Sequence, residues 1–315
     1  MNILLTGCAG FIGSRTTKLL LERGNEVTGI DDLSAYSYGA DVKEKRLKEL
    51  LGKSGFKFKR LDITDKKAMF ELIDDNQFDA VINLAALAGV RASLEDPWTF
   101  LNVNVNGTLN LLEACVKNNI KKFVVASSSS VYGEGQTTGA SEEMVTDYPL
   151  TQYGATKKAV EVLCHSYHYI YDLDVSLLRY FTCYGESGRP DMSLYRFIEG
   201  IRNDREIEVF GDGTQKRDFT YVGDIAEGTI ASLKPLGFEA INLGNNNPIE
   251  LNYAIQLIED EFGRDAKIKY SPRNKADVLI NYANIKKAKR LLDWEPKVKI
   301  EEGIIRTVEW HLQKK

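Results

Sequence analysis

The chain has 315 residues, 43% hydrophobic and 27% charged, with a formal net charge of −4, a globular composition long enough for one large domain or two. It has neither a basic excess nor an apolar run of the roughly 18 residues that span a membrane, so nucleic acid and membrane are not expected as partners. NILLTG (2–7) reads as a buried strand, and SRTTKLLLERG (14–24) as a helix capped by Gly24. NEVTGID (25–31), FKFKRLDI (56–63), FDAVINLA (78–85), KKFVVASS (121–128) and DVSLLRY (174–180) read as further strands. Helical patterns fall around 66–76, 98–118 and 151–172. Alternation of this kind predicts an α/β fold with a doubly wound parallel sheet and right-handed crossovers. After residue 180, loops such as GESGRPDM, GDGTQKRD, GNNNP and SPRNKAD separate shorter elements. They predict a smaller α/β substrate-binding domain over 181–315, beside a first domain of 1–180 to which the chain returns around 219–245.

Cys8, Cys115, Cys164 and Cys183 lack CxxC spacing and read as reduced, small hydrophobes of a cytoplasmic protein. His165 and His168 share a helix face with no further ligand near them, so they read as a surface or packing pair and no metal is expected. The sequence opens without a basic leader, which argues against a signal peptide.

GCAGFIG places Gly7, Gly10 and Gly13 between the first strand and the first helix. The first glycine permits a tight turn, the second lets the backbone approach a pyrophosphate, and the third allows close helix–strand packing. Asp31 and Asp32 end the second strand, where an acid bonds the adenosine ribose and repels a 2′-phosphate; no arginine follows in LSAYS. A Rossmann-type site for NAD rather than NADP is expected. Later, Tyr153 and Lys157 lie one helical turn apart. A cation nearby favours the phenolate, which makes Tyr153 a general base. The same spacing at Tyr282 and Lys286 lacks the preceding serine-rich strand and reads as coincidence. The run Ser127–Ser130 follows the 121–128 strand, at the sheet edge where ligands bind.

G-x-x-G-x-x-G with a later Tyr-x-x-x-Lys resembles the extended branch of the short-chain dehydrogenase/reductase superfamily over nearly the whole chain. The resemblance makes Ser128, Tyr153 and Lys157 catalytic, and implies cofactor contacts at Phe11, Ile12, Leu33, Asp62, Ile63, Leu84, Ala85, Ala86 and Tyr180 besides the glycines and Asp31-Asp32. Asn83 stands where a histidine is usual. Relatives that dehydrate sugars carry Asp-Glu where this chain has Ser129-Ser130, and those that decarboxylate a UDP-uronic acid carry Glu at the Ser130 position. Neither acid is present, and epimerisation remains.

AALAGVRASLEDP (85–97), KEKRLKELL (43–51) and RYFTCYGESGRPDMSLYRFI (179–198) resemble UDP-sugar 4-epimerases, most of all those acting on UDP-glucuronate. In that resemblance Thr182 and Arg189 hold the sugar carboxylate with serines of the 128–130 turn. Arginine grips a carboxylate with two parallel hydrogen bonds; the local alternative is an ion pair of Arg189 with Asp191 or Glu186. Arg217 resembles the diphosphate arginine, Asp277 the uridine-ribose acid, and Phe210 a uracil contact. Leu87 replaces a common glutamine, and Glu186-Ser187 a Pro-containing pair. The rivals are a UDP-glucose/UDP-galactose 4-epimerase and a non-catalytic NAD-binding regulator. The resemblance also implies a homodimer built on the helices around 98–118 and 151–172.

Overall fold

The structure, a computed structural model, describes residues 1–36, 38–134, 138–273 and 277–313. Six strands follow in chain order: β1 (Asn2–Thr6), β2 (Glu26–Asp31), β3 (Phe56–Arg60), β4 (Ala80–Asn83), β5 (Lys122–Ser128) and β6 (Asp174–Tyr180). With strand Phe238–Leu243 they form one seven-stranded sheet, ordered 238–243, β6, β5, β4, β1, β2, β3, and every neighbouring pair is parallel. The order turns back between β1 and β4, so a crevice opens at their carboxyl ends. Alternate residues of each strand serve opposite faces. Ile3 and Leu5 join one core with Val124 and Ala126, while Leu4 joins the other with Phe123 and Val125. Both faces are therefore buried, and the strands read as continuous apolar runs.

Helix α1 (Phe11–Glu22) starts at Gly10, and Gly24 follows it with φ +75°. α2 (Ala40–Lys48), α3 (Lys66–Asp74), α4 (Val90–Glu95), α5 (Pro97–Leu101), α6 (Gly107–Lys117) and α7 (Gln152–Tyr171) follow. β3 stops at Arg60, short of the expected 63, because the Asp62 carboxylate accepts the Thr64 N–H at 2.8 Å and turns the chain. The expected helix over 98–118 is three pieces. Asp96 caps Thr99, Pro97 opens α5, and one π turn, Asn102–Asn106, precedes α6. That turn buries Asn104 against the Leu87 backbone and the Thr156 hydroxyl. Both helix histidines, His165 and His168, pack on Phe238. The Tyr282–Lys286 spacing is not helical, since Lys286 only begins a helix, Lys286–Leu292.

Strand Lys216–Tyr221 pairs antiparallel with Pro248–Glu250, and parallel with Thr182–Tyr184 and Ile280–Asn281. Strands Ile207–Phe210 and Ile268–Ser271 pair separately. Helices Ser193–Arg202, Leu251–Phe262 and Ile300–Gln313 close a third core around Phe219 and Tyr221. Helix Val222–Ala231 packs on α1 and leads into strand Phe238–Leu243. Among the described residues no helix is long and apolar enough to cross a membrane.

Candidate active site

The glycine turn fits a dinucleotide by sterics. Gly7 has φ +71°, and a Cβ there would stand 2.8 Å from the Ala85 backbone nitrogen. A Cβ on Gly13 would lie 2.0 Å from the Gly7 carbonyl oxygen, so only glycine lets α1 pack this closely. Gly10 caps α1 without a side-chain bond, leaving the helix N–H groups to face the crevice. Gly7, Gly10, Asp31, Asp32, Asp62, Ile63, Leu84, Ala85 and Ala86 line one cleft together with Arg189. This cradle suits NAD.

The two acids differ. Asp31 is 5% exposed and accepts the Ala9 and Leu33 N–H groups, so it shapes the turn. Asp32 is the more open of the pair. Lys43 of α2 bonds both, at 3.0 and 3.1 Å, a cation twelve and eleven residues away that LSAYS does not reveal. Burial disfavours the charge on Asp32, but the Ser34 N–H and Lys43 outweigh it and hold the carboxyl below its usual range. Asn83, the departure from histidine, bonds Thr6 at 2.6 Å and Thr108 at 3.0 Å, tying β1 to β4 and α6 beneath the crevice. Phe11 and Tyr180 sit in the core, with Ile12 packed against it, Leu33 packs with Ala9 and Leu47, and the Tyr180 hydroxyl is 2.8 Å from Thr229.

β5 and α7 deliver the chemistry. Ser128 ends β5, its hydroxyl accepts the Ser130 N–H at 3.2 Å, and it acts on Tyr153 in favour of the phenolate. Burial pushes the Tyr153 phenol up, and the groups that work against this are Ser128 and the Arg189 charge. The ring meets Phe100 edge-on, centroids 6.2 Å apart. Ser129 accepts a bond from Asn281 at 3.0 Å, which fastens the serine turn to the small sheet. Lys157 is 5% exposed, and its ammonium donates to the Ala126 carbonyl at 2.8 Å. Burial pushes its pKa down to about 8, with Glu161 opposing. Behind it, Glu161 takes a two-armed bond from Arg179 and one from Ser127.

Lys157 carries a stability consequence. Its folded-state pKa lies below the free value of 10.5, so between about pH 8 and 10.5 the unfolded chain binds more protons and stability rises with pH. Below that window the buried charge costs up to about 3 kcal/mol. At matched cofactor occupancy, Lys157→Met is expected to unfold at a higher temperature than the parent at pH 7. That advantage should fade by pH 10; a constant offset between the two pH values would contradict the assignment.

Arg189 bonds Asp191 through Nε at 3.0 Å and Nη2 at 2.6 Å, and gives the Ala88 carbonyl a bond of 2.8 Å. The local ion pair of the sequence reading is thus formed, while Nη1 takes no part in these bonds. Thr182 and Arg189 share a small pocket beside the cleft. At the far end, Arg217 donates to the Lys216 carbonyl, Arg91 lies 3.6 Å above the Phe210 ring, and Arg91 pairs with Asp277 at 3.4 Å. Burial pushes Arg217 below its usual range, Arg273 adds to the shift, and Asp277 opposes it. Arg91 and Arg273 escape a reading by motif, because neither lies beside Arg217 in sequence. Among the described residues no cluster of three or more His, Cys, Asp or Glu could hold a metal.

A doubly wound sheet with a glycine cradle at its crevice and a serine–tyrosine–lysine set on the neighbouring strand and helix defines an enzyme of the short-chain dehydrogenase/reductase type. Residues 3–244 match the NAD dependent epimerase/dehydratase family, and the chain belongs to it. A protein named UDP-glucuronate 4-epimerase from Thermodesulfobacterium geofontis is 51% identical over 308 residues, 98% of this chain and 95% of that one. The crystal structure of UDP-glucuronic acid 4-epimerase from Bacillus cereus, in complex with UDP-glucuronic acid and NAD, superposes with a TM-score of 0.93 at 37% identity, covering 99% of both chains. UDP-glucose 4-epimerase from Thermotoga maritima, with UDP-glucose, superposes with a TM-score of 0.91 at 32% identity, again over 99% of both.

Proposed function

We propose that this protein interconverts UDP-glucuronate and UDP-galacturonate by epimerisation at C4 through a 4-keto sugar. The observation that carries the reading is Arg189, which stands close enough to Tyr153 to favour its ionisation while lining the cofactor cleft. A uronate carboxylate, carried on the C5 that neighbours C4, falls within the reach of a guanidinium so placed, and the relatives named for this substrate support the choice.

Tyr153 takes the proton of the 4-hydroxyl, and Ser128 holds the same oxygen. Lys157, one turn along α7, keeps a positive charge beneath them and holds the nicotinamide ribose. Bound NAD supplies a hydride acceptor for the first half-reaction and a hydride donor for the second, with no net oxidation. Arg217, with Arg91 and Arg273 near it, anchors the diphosphate while the keto sugar turns over. Asp277 and Phe210 take the uridine. Tyr153 then returns its proton to the new alcohol. On this reading residues 1–180, rejoined around 219–245, bind the cofactor, and the remainder of 181–315 holds the UDP-sugar. A cytoplasmic homodimer belongs to the same reading. Its four cysteines are buried free thiols. Trp98 of α5 and Tyr169 of α7 are 79% and 81% exposed on helices that pack together, which suits a partner helix pair.

The Arg189–Asp191 pair favours one second reading, a neutral UDP-hexose that asks nothing of the arginine. Proton NMR of the purified protein with UDP-glucuronate, beside UDP-glucose and with no added NAD, separates the two. Anomeric signals of UDP-galacturonate are expected. Conversion of UDP-glucose alone would remove the carboxylate role of Arg189, and a UDP-pentose would show decarboxylation without a glutamate at position 130.

A further inference from the structure

Arg46 of α2 is 2% exposed, and its surroundings are unusual for a buried cation. Arg179, also buried, has the Glu161 carboxylate across from it. Arg46 instead spends its donors on carbonyls and hydroxyls. Nε and Nη2 reach the Ser187 carbonyl at 3.0 and 2.7 Å, Nη2 the Gly188 carbonyl at 3.0 Å, and Nη1 the Tyr38 hydroxyl at 3.0 Å and the Ala9 carbonyl at 3.4 Å. Its guanidinium lies 5.3 Å from the Tyr38 ring centroid and 5.9 Å from that of Phe11. A buried guanidinium needs hydrogen-bond partners to offset its lost hydration, and here those partners are carbonyls and hydroxyls that it ties to one another. Two of the carbonyls, those of Ser187 and Gly188, belong to the turn before Arg189. Ser187 sits at φ +57°, a left-handed conformation unfavourable for an L residue. Arg46 grips it by its carbonyl and its Oγ, the latter at 3.3 Å. Tyr38 links the two arginines from the other side: its hydroxyl takes the Arg46 bond, and the Arg189 guanidinium lies 5.8 Å from its ring centroid.

We propose that Arg46 is a positioning residue for sugar selection, holding the Ser187–Gly188 turn and Tyr38 so that Arg189 presents its guanidinium to the substrate carboxylate. The same side chain bonds Ala9 in the glycine turn, so the anion-gripping arginine is registered directly against the cofactor cradle. This rests on the uronate reading above and adds the element that sets the arginine's place.

The test measures binding of UDP-glucuronate, UDP-glucose and UDP to the NAD-loaded protein by calorimetry. In Arg46→Met the Kd for UDP-glucuronate is expected to rise about 10–30-fold, the loss of a well-aimed charge-assisted pair, while UDP stays within about twofold because the diphosphate and uridine groups are untouched. Arg46→Lys should lose nearly as much, since an ammonium cannot span the Ser187, Gly188 and Tyr38 oxygens together. In an Arg189→Ala background, Arg46→Met should add nothing. Equal weakening of UDP and UDP-glucuronate, an unchanged uronate Kd, or full additivity with Arg189→Ala would each overturn the proposal. If Arg46→Met does not fold, Tyr38→Phe removes one of the Arg46 bonds and keeps the ring. A loss of about threefold confined to the uronate is then expected, and no selective loss refutes the role. Failure of the uronate reading looks different, because the parent protein itself would then bind UDP-glucuronate no better than UDP-glucose.

Discussion

Tyr153→Phe is expected to lower kcat by about 10³–10⁴-fold while leaving KM within about threefold and the bound NAD in place. A general base positioned on the reacting hydroxyl is worth about 10²–10⁴-fold, and Tyr153 is a residue of α7 whose ionisation Ser128 favours. The phenol must ionise against its burial. Ser128 and Arg189 supply the opposing influence in the structure, while the Lys157 ammonium is seated on the Ala126 carbonyl. The ring also packs on Phe100, a contact that phenylalanine retains, so the substitution removes the oxygen and leaves the pocket. NMR turnover of UDP-glucuronate by the variant is the check. Undiminished turnover would remove Tyr153 as the general base and the mechanism with it.

Arg189→Ala is expected to reduce kcat/KM for UDP-glucuronate by about 100-fold, in line with about 3 kcal/mol for a two-armed charge-assisted bond. UDP-glucose turnover, where present, should fall only a few-fold. It should not be untouched, because the Arg189 charge also favours the Tyr153 phenolate. Losing that charge leaves the phenol harder to ionise, so the acid limb of the UDP-glucose pH profile should move to higher pH. The counterpart is Asp191, which occupies Nε and Nη2 of the arginine. A carboxylate entering at Nη1 leaves this pair intact and uses Asp191 as a brace; one that needs the full fork must displace it. Asp191→Asn separates these routes, with weaker uronate binding expected for the brace and tighter binding for the competitor. Steady-state kinetics on both sugars reads all of these effects. Parallel losses on the two sugars in Arg189→Ala would sink the selective role.

Much of this was legible from residues alone because its signals are local. The turn of Gly7, Gly10 and Gly13 is one strand–turn–helix unit, and Tyr153 and Lys157 sit one turn apart on one helix, so chain spacing sets their geometry. The strands of the large sheet were readable for a similar reason, since burial on both faces forces runs such as Phe123–Ala126 to be apolar throughout. The order of those strands, and the crevice between β1 and β4, depend on which strands pair, which no single run encodes.

What only the tertiary structure decided lies in contacts between distant parts of the chain. Asp31 and Asp32 look alike in sequence; burial under Ala9 and Leu33 makes one a turn-former and leaves the other open to the cleft. Arg46 in KEKRLKELL has the spacing of a solvent-exposed helical charge, yet it bonds Ser187, 141 residues away. Arg91 finds Asp277 across 186 residues. Long, flexible cationic side chains carry no periodic signature of where their ends rest. A glycine turn or a buried strand is specified by its own backbone and neighbours, whereas the resting place of a guanidinium is specified by whichever carbonyls and rings the completed fold brings within its reach.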